Sequence, residues 1–246
     1  MKCFEVINIK KNKKMPNIGI SAVAITSHMA NMSHFHIRAA EIAKDNALRI
    51  HNSDADAGKE DWIDYISSSA NSIIMSVAAL EARINENIES FSIFRQHKED
   101  FLDEKKEFAG ISGIASKYRD FPKIMKADKE IIDKAQQLGE KYSIDKIVLV
   151  RNELVHYNPK RFIHTTENEV TTSTCNSKNI DRILRFYDTE KKFKFHSKFS
   201  KDWMTADIHR ITNAQFAEWC FNNVTDFIKK YREQVSDPIK MQDHNR

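Results

Sequence analysis

Apolar residues recur in steps of three and four over most of the chain, the spacing of one face of an α-helix. The longest such stripe spans about 60–97 and comprises Trp62, Ile66, Ala70, Ile73, Val77, Leu80, Ile84, Ile88 and Phe91. A second stripe runs through Phe216, Trp219, Cys220, Val224, Phe227, Ile228 and Tyr231. Thr212-x-x-Gln215 has the form of a capping box and is the expected start of that last helix. Alanine, isoleucine and methionine content without breakers predicts a helix over about 20–51, and another is expected at about 127–141. A further helix begins at Ile144, with Ser143 as its expected N-cap and Asp145 in its first turn. Pro159 stops it, because a residue preceding proline is pushed out of helical geometry.

The intervening segments read differently. His51 to Gly58 is a polar loop. The charged stretch Lys98 to Glu107 is a solvated helix end or connector, punctuated by Gly110 and Gly113, and Pro122 is expected in a loop. Residues 164–179 are rich in Thr, Ser and Asn and read as an exposed or disordered loop. A short helix is expected at 180–187, and Lys191 to Phe199 partly alternates basic and aromatic residues, as a short strand would. Residues 1–17 form an arm or strand with Phe4, Val6, Ile7 and Ile9, followed by the basic run Lys10 to Lys14 and by Pro16. No internal repeat is visible. The pattern predicts a mainly all-α helical bundle: an N-terminal arm at 1–17, then a single helical domain over 18–246 in which 160–205 is a loop-rich insertion.

Composition sharpens this. Five glycines and four prolines in 246 residues leave few turn-formers, which excludes a many-stranded barrel or sandwich. The length suffices for a proper core. A formal net charge of +4 permits a polyanionic partner without demanding one. Cys3, Cys175 and Cys220 are far apart and form no C-x-x-C pair, which points to free thiols in a reducing compartment. The first residues lack the apolar run of a signal peptide, and the stretch Ile18 to Ala24 is too short to span a bilayer. A cytoplasmic protein is expected.

The chemistry concentrates in Arg151-Asn152-Glu153-Leu154-Val155-His156-Tyr157-Asn158-Pro159. At ~100° per residue, Ile144, Ile147, Val148, Leu154 and Val155 share a wide face with Arg151 in its middle. Asn152 and His156, four apart, share the adjacent face. A guanidinium keeps its charge in any protein environment, so Arg151 must meet a carboxylate, carbonyls, a cleft or a polyanion. His156 lies near the helix C-terminus, where the helix dipole favours a cation. An arginine beside a titrating histidine suits phosphodiester cleavage: one neutralises the phosphate and the other moves the proton. The same residues equally suit a polar network that ties helices or subunits together.

Arg151 and Asn152, three further residues and then His156, on an apolar helix with a proline stop, resemble the signature of the HEPN superfamily. The segment Ser72 to Glu86 is similar to an early bundle helix of such proteins, and the Trp219-Cys220 helix to their closing helix; together these cover about half the chain. The resemblance implies an all-α fold, often dimeric, of the kind common in prokaryotic toxin–antitoxin and antiphage systems. It implies a metal-independent endoribonuclease whose composite site forms at a homodimer interface. Arg151 and His156 are then the paired catalytic residues and Asn152 the polar helper. RNA, a second copy of the chain and an antitoxin or defence-complex protein are the implied partners; no cofactor, metal or membrane is implied. Some members of the superfamily serve instead as RNA-binding, protein-binding or dimerisation modules. The toxin branch that pairs with nucleotidyltransferases carries a tyrosine two residues after the histidine. Here Tyr157 is adjacent and Asn158 holds that place, so that branch's tyrosine modification is not carried over.

Other candidates are weaker. Glu81, at the edge of the long stripe with Asn85 one turn on, either pairs with Arg151 or is an ordinary boundary glutamate, with the latter favoured. His28, His34 and His36 lack a completing ligand at metal-site spacing and read as surface residues. Lys191 to Lys201 either stacks bases and neutralises phosphates of single-stranded RNA or, more commonly for such a pattern, is a lysine-protected edge strand. Lys10 to Lys14 reads as a solvated arm.

Overall fold

A computed structural model describes residues 31–53, 59–95, 101–156, 160–166, 169–175, 183, 185 and 211–244. The expected N-terminal arm, the basic run Lys10 to Lys14, His28 and the Lys191 to Lys201 segment lie outside these residues. Those described form a helical bundle with one β-hairpin. In order they are α1 (Met32–Asn52), α2 (Lys59–Arg95), α3 (Phe101–Gly110), α4 (Ile114–Ile124), α5 (Lys129–Lys141), α6 (Ile144–His156), β1 (Lys160–Thr166), β2 (Glu169–Cys175), α7 (Ala214–Tyr231), a π-helical segment (Arg232–Ser236) and α8 (Asp237–His244).

The long stripe organises the bundle. Ile73, Val77, Leu80 and Ile84 of α2 are fully buried, and Phe91 is 2% exposed. Ser69, Ser72 and Ser76 are also buried. These small side chains let neighbouring helices approach, and two of them send their hydroxyls into their own helix: Ser69 to the Tyr65 carbonyl and Ser76 to the Ser72 carbonyl, each at 2.8 Å. Two polar contacts set α1 antiparallel to α2. Near the connecting loop Asn46 Nδ2 donates to Ser68 Oγ at 2.7 Å. At the far end the Glu86 carboxylate accepts from the Ser33 amide at 2.8 Å and from the Ser33 hydroxyl at 2.7 Å. A carboxylate there satisfies an otherwise unpaired amide in the first turn of α1 and complements the helix dipole.

The chain departs from expectation at several places, each for a physical reason. Pro122 is inside α4, not in a loop. Its missing N–H frees the Tyr118 carbonyl one turn earlier. The Tyr231 hydroxyl, from α7, donates to that carbonyl at 2.6 Å. A partner 113 residues away thus completes the turn. Tyr231→Phe is expected to cost about 1–3 kcal/mol, the price of an unsatisfied buried carbonyl. In a Pro122→Ala background the amide is restored, and the same substitution should cost much less. Equal losses in both backgrounds, measured by urea unfolding, would refute this account.

The last helix opens one residue later than the capping box implies. Asn213, not Thr212, is the N-cap: it is extended and its Oδ1 accepts from the Phe216 amide at 2.9 Å. Asparagine outranks threonine in this role. The Ala214 amide donates to Tyr65 Oη of α2 at 3.1 Å, so a second N-terminal amide is satisfied by packing. Asn213→Ala should lower stability by about 1 kcal/mol, while Asn213→Asp keeps the cap; a shift in the denaturation midpoint reads this out.

Residues 164–179, expected as a loop, contribute instead to an antiparallel hairpin. Its register pairs Lys160 with Cys175 and Thr166 with Glu169. Val170 and the threonines 165, 166, 171, 172 and 174 are β-branched, which suits a strand even where aliphatic residues are few. Within the stretch expected as a solvated helix end or connector, Phe101 to Glu107 belong to a separate helix, α3.

The stripe of α7 is buried as its spacing predicts, with Phe216, Cys220 and Phe227 at 0% exposure. Burial pushes the Cys220 thiol well above its ordinary range, so it remains a protonated core residue. Burial likewise raises the phenols of Tyr118 and Tyr231, which therefore act only as neutral donors. Beyond Tyr231 the helix widens into the π segment, where the Asp237 amide reaches the Arg232 carbonyl. Pro238, at the second position of α8, lacks the amide that a regular turn would use. Val235 and Ser236 of the wide turn both face inward, and Asn87 of α2 donates to Ser236 Oγ at 3.2 Å. Among the described residues no helix is long and apolar enough to cross a membrane.

Candidate functional site

α6 carries the sequence motif, and the turn before it aims the helix. Ser143 does not adopt the extended conformation expected of an N-cap. Its φ is 53°, a left-handed value that few non-glycine residues adopt. Its carbonyl accepts from the amides of Lys146 and Ile147, starting α6 with only Tyr142 and Ser143 between it and α5. The buried side of α6 is Ile144, Ile147 and Val150, with Val148, Leu149 and Leu154 partly buried. Val155, expected on that face, is 48% exposed. The core face is therefore rotated from the expected one, and the C-terminal turn of α6 presents apolar surface outward.

Arg151 lies at the border of the buried side. Its Nη2 donates to Glu81 Oε2 of α2 at 3.2 Å and its Nη1 to Asn152 Oδ1 at 3.0 Å. The guanidinium thus bridges a carboxylate from the long helix and the amide side chain next to it. The Arg151 side chain is 23% exposed and that of Glu81 46%, so the pair sits at the rim of the core. Sequence reasoning weighed this pairing for Glu81 and ranked it second. The available signal was its position: a carboxylate at the edge of one apolar stripe and an uncancelled arginine on another.

His156 is not drawn into that network. It is the last residue of α6 and is exposed. Among the described residues its side chain makes no hydrogen bond or ion pair. Arg151, Asn152 and Glu81 are thus brought together, while the His156 imidazole joins none of them. Such an arrangement has one preset cation at the rim of the core and one exposed acid–base group five residues further along the same helix.

A cleft among the described residues lies away from the motif. About 180 Å³ in volume, it opens at the N-terminal end of α6 between Ile144, Asp145, Arg119, Glu140 and Phe227, and no motif residue lines it. Arg119 there is engaged with Asp120 through two hydrogen bonds, of 3.1 and 2.9 Å. The Arg119 guanidinium holds the Asp120 carboxyl below the usual carboxylate range, helped by Lys123 and opposed by partial burial. His34 is exposed, and among the described residues no three His, Cys, Asp or Glu side chains converge as metal ligands do. Comparison of the chain with protein-family models, with curated proteins and with solved structures finds no match.

Proposed function

We propose that the chain is a metal-independent endoribonuclease of HEPN type, acting as a two-fold dimer through the exposed end of α6, in a toxin–antitoxin or antiphage setting. The observation that carries this reading is the contrast within one motif: Arg151 is preset by Glu81 and Asn152, while His156 is exposed and unengaged. A side chain retained to tie helices together needs a partner to tie to, and among the described residues the His156 side chain has none. Val155, half exposed beside His156, supports a second copy at this surface, because a two-fold interface uses the same patch twice.

In the proposed reaction the RNA 2′-hydroxyl oxygen forms a bond to the adjacent phosphorus and the bond from phosphorus to the 5′-oxygen breaks. One imidazole takes the 2′-hydroxyl proton and the leaving 5′-oxygen receives a proton, a role open to the second copy of His156. Arg151 neutralises the charge that gathers on the phosphoryl oxygens. The products are a 2′,3′-cyclic phosphate end and a 5′-hydroxyl end. Cleavage of single-stranded RNA by the purified protein in EDTA, with those ends identified by mass spectrometry, is the expected result. Intact RNA under these conditions would overturn the reading.

The pairing of Arg151 also favours a second reading, in which the motif is a structural tie between α6 and α2 within a non-catalytic RNA- or protein-binding module. A binding module retards RNA on a gel in a salt-sensitive way and leaves it uncut.

A further inference from the structure

Glu81 and Asn85 are four residues apart on α2, so they lie on one side of the helix about 6 Å apart along its axis. Each holds a cation that arrives from a different helix. Glu81 accepts from Arg151 of α6 at 3.2 Å, and Asn85 Oδ1 accepts from Lys117 Nζ of α4 at 3.0 Å. The two anchors differ in charge. Glu81 is a carboxylate and cancels much of the Arg151 charge; Asn85 is neutral and leaves the Lys117 charge intact. Among the described residues Lys117 makes no ion pair. Asn85 is exposed and Lys117 half-buried, so the ammonium is fixed in direction yet open to solvent.

A polynucleotide presents one negative charge per nucleotide at a regular spacing. Two cations whose anchors lie one helical turn apart suit an extended single strand that passes over both anchors, and anchoring lowers the entropy lost on contact. We propose that Lys117 is a phosphate-binding residue for RNA, engaging the phosphate next to the one that faces Arg151. The strand would then cross α2 from α6 towards α4. This rests on the ribonuclease reading for the register of the strand, but it concerns binding, which is measured without cleavage.

The test uses the full chain carrying His156→Ala, so that RNA stays intact, with a fluorescent single-stranded RNA oligonucleotide in EDTA. Affinity is measured by polarisation across a range of salt concentrations. Losing one phosphate contact should reduce the slope of log affinity against log salt by about 0.7. Adding Lys117→Ala or Lys117→Gln is expected to give that reduction and a several-fold weaker affinity at low salt, whereas Lys117→Arg keeps both. Lys134, an exposed lysine paired with Glu130 on α5, is the control, and Lys134→Ala should leave the slope unchanged. Unaltered melting temperatures establish that the variants are folded. If the slope is the same with and without Lys117, the inference is wrong, even if the wild-type protein cuts RNA. If the slope falls but the wild-type protein does not cut, the inference stands and the ribonuclease reading fails.

Discussion

His156→Ala should reduce RNA cleavage by about 10²–10⁴-fold, the usual contribution of a positioned acid–base group, and should leave folding stability within about 0.5 kcal/mol of wild type. The second half of that expectation follows from its surroundings. His156 is exposed at the end of α6 and its side chain makes no hydrogen bond or ion pair among the described residues, so its removal strands no partner there. Arg151→Ala should also abolish cleavage, but with a small loss of stability. Its partner Glu81 is 46% exposed, and ion pairs at that depth contribute only about 0–1 kcal/mol. The two variants therefore separate the readings of the motif. Loss of cleavage by His156→Ala with an unchanged melting temperature belongs to a catalytic histidine. A histidine variant that cuts at the wild-type rate would remove His156 from the mechanism. Glu81→Gln provides a third comparison. It preserves the shape and one hydrogen bond to Arg151 but removes the negative charge, so RNA should bind more tightly while the arginine remains placed.

The largest stability effect is expected at Phe227. Its ring is fully buried and stands edge-on to Tyr118 at 4.9 Å and to Tyr142 at 6.2 Å, with Tyr231 at 5.4 Å. It joins α7 to α4 and to the turn between α5 and α6. Phe227→Ala should cost about 3–5 kcal/mol, combining lost burial with the cavity left behind. The upper part of that range is expected, because Phe227 also borders the cleft near Asp145, and truncation would open that cleft into the core. The loss is comparable to the whole stability of many domains, which is about 5–15 kcal/mol. Phe227→Leu, which keeps most of the apolar volume, should cost clearly less and remain folded. Denaturant midpoints measure both. A loss under about 1.5 kcal/mol for the alanine variant would show that the surrounding aromatic side chains close the gap.

How much of this was legible in the sequence depends on the range of the interactions concerned. The stripes of α2 and α7 are periodic within one segment, and the burial of Ile73, Val77, Leu80, Phe227 and Tyr231 follows from spacing alone. Arg151 could likewise be placed on a helix, but its partner stands 70 residues earlier, and only the packing of α6 against α2 selects Glu81 from the other carboxylates. Pro122 shows the same limit more sharply. Its local chemistry argues against a helix, and the Tyr231 hydroxyl that compensates for it comes from another element. The hairpin was missed for another reason. A Thr-rich stretch was read by its lack of aliphatic residues, when β-branching at the backbone was the relevant property. Lys117 gave no signal, because a lysine and an asparagine 32 residues apart form no pattern until α4 crosses α2.

The wide turn at Arg232–Ser236 also sets the phase of everything that follows it. Tyr231, Val235 and Ile239 are spaced by four residues and all are buried. In a regular α-helix each four-residue step overshoots a full revolution by about 40°, so Ile239 would drift well away from the core line of Tyr231. A turn holding more residues per revolution absorbs that drift. The segment works as a phase corrector: removing one residue from it would leave a regular helix with Ile239 still on the core line, seven steps of ~100° from Tyr231, whereas regular α geometry through all the residues present would turn Ile239 off the core.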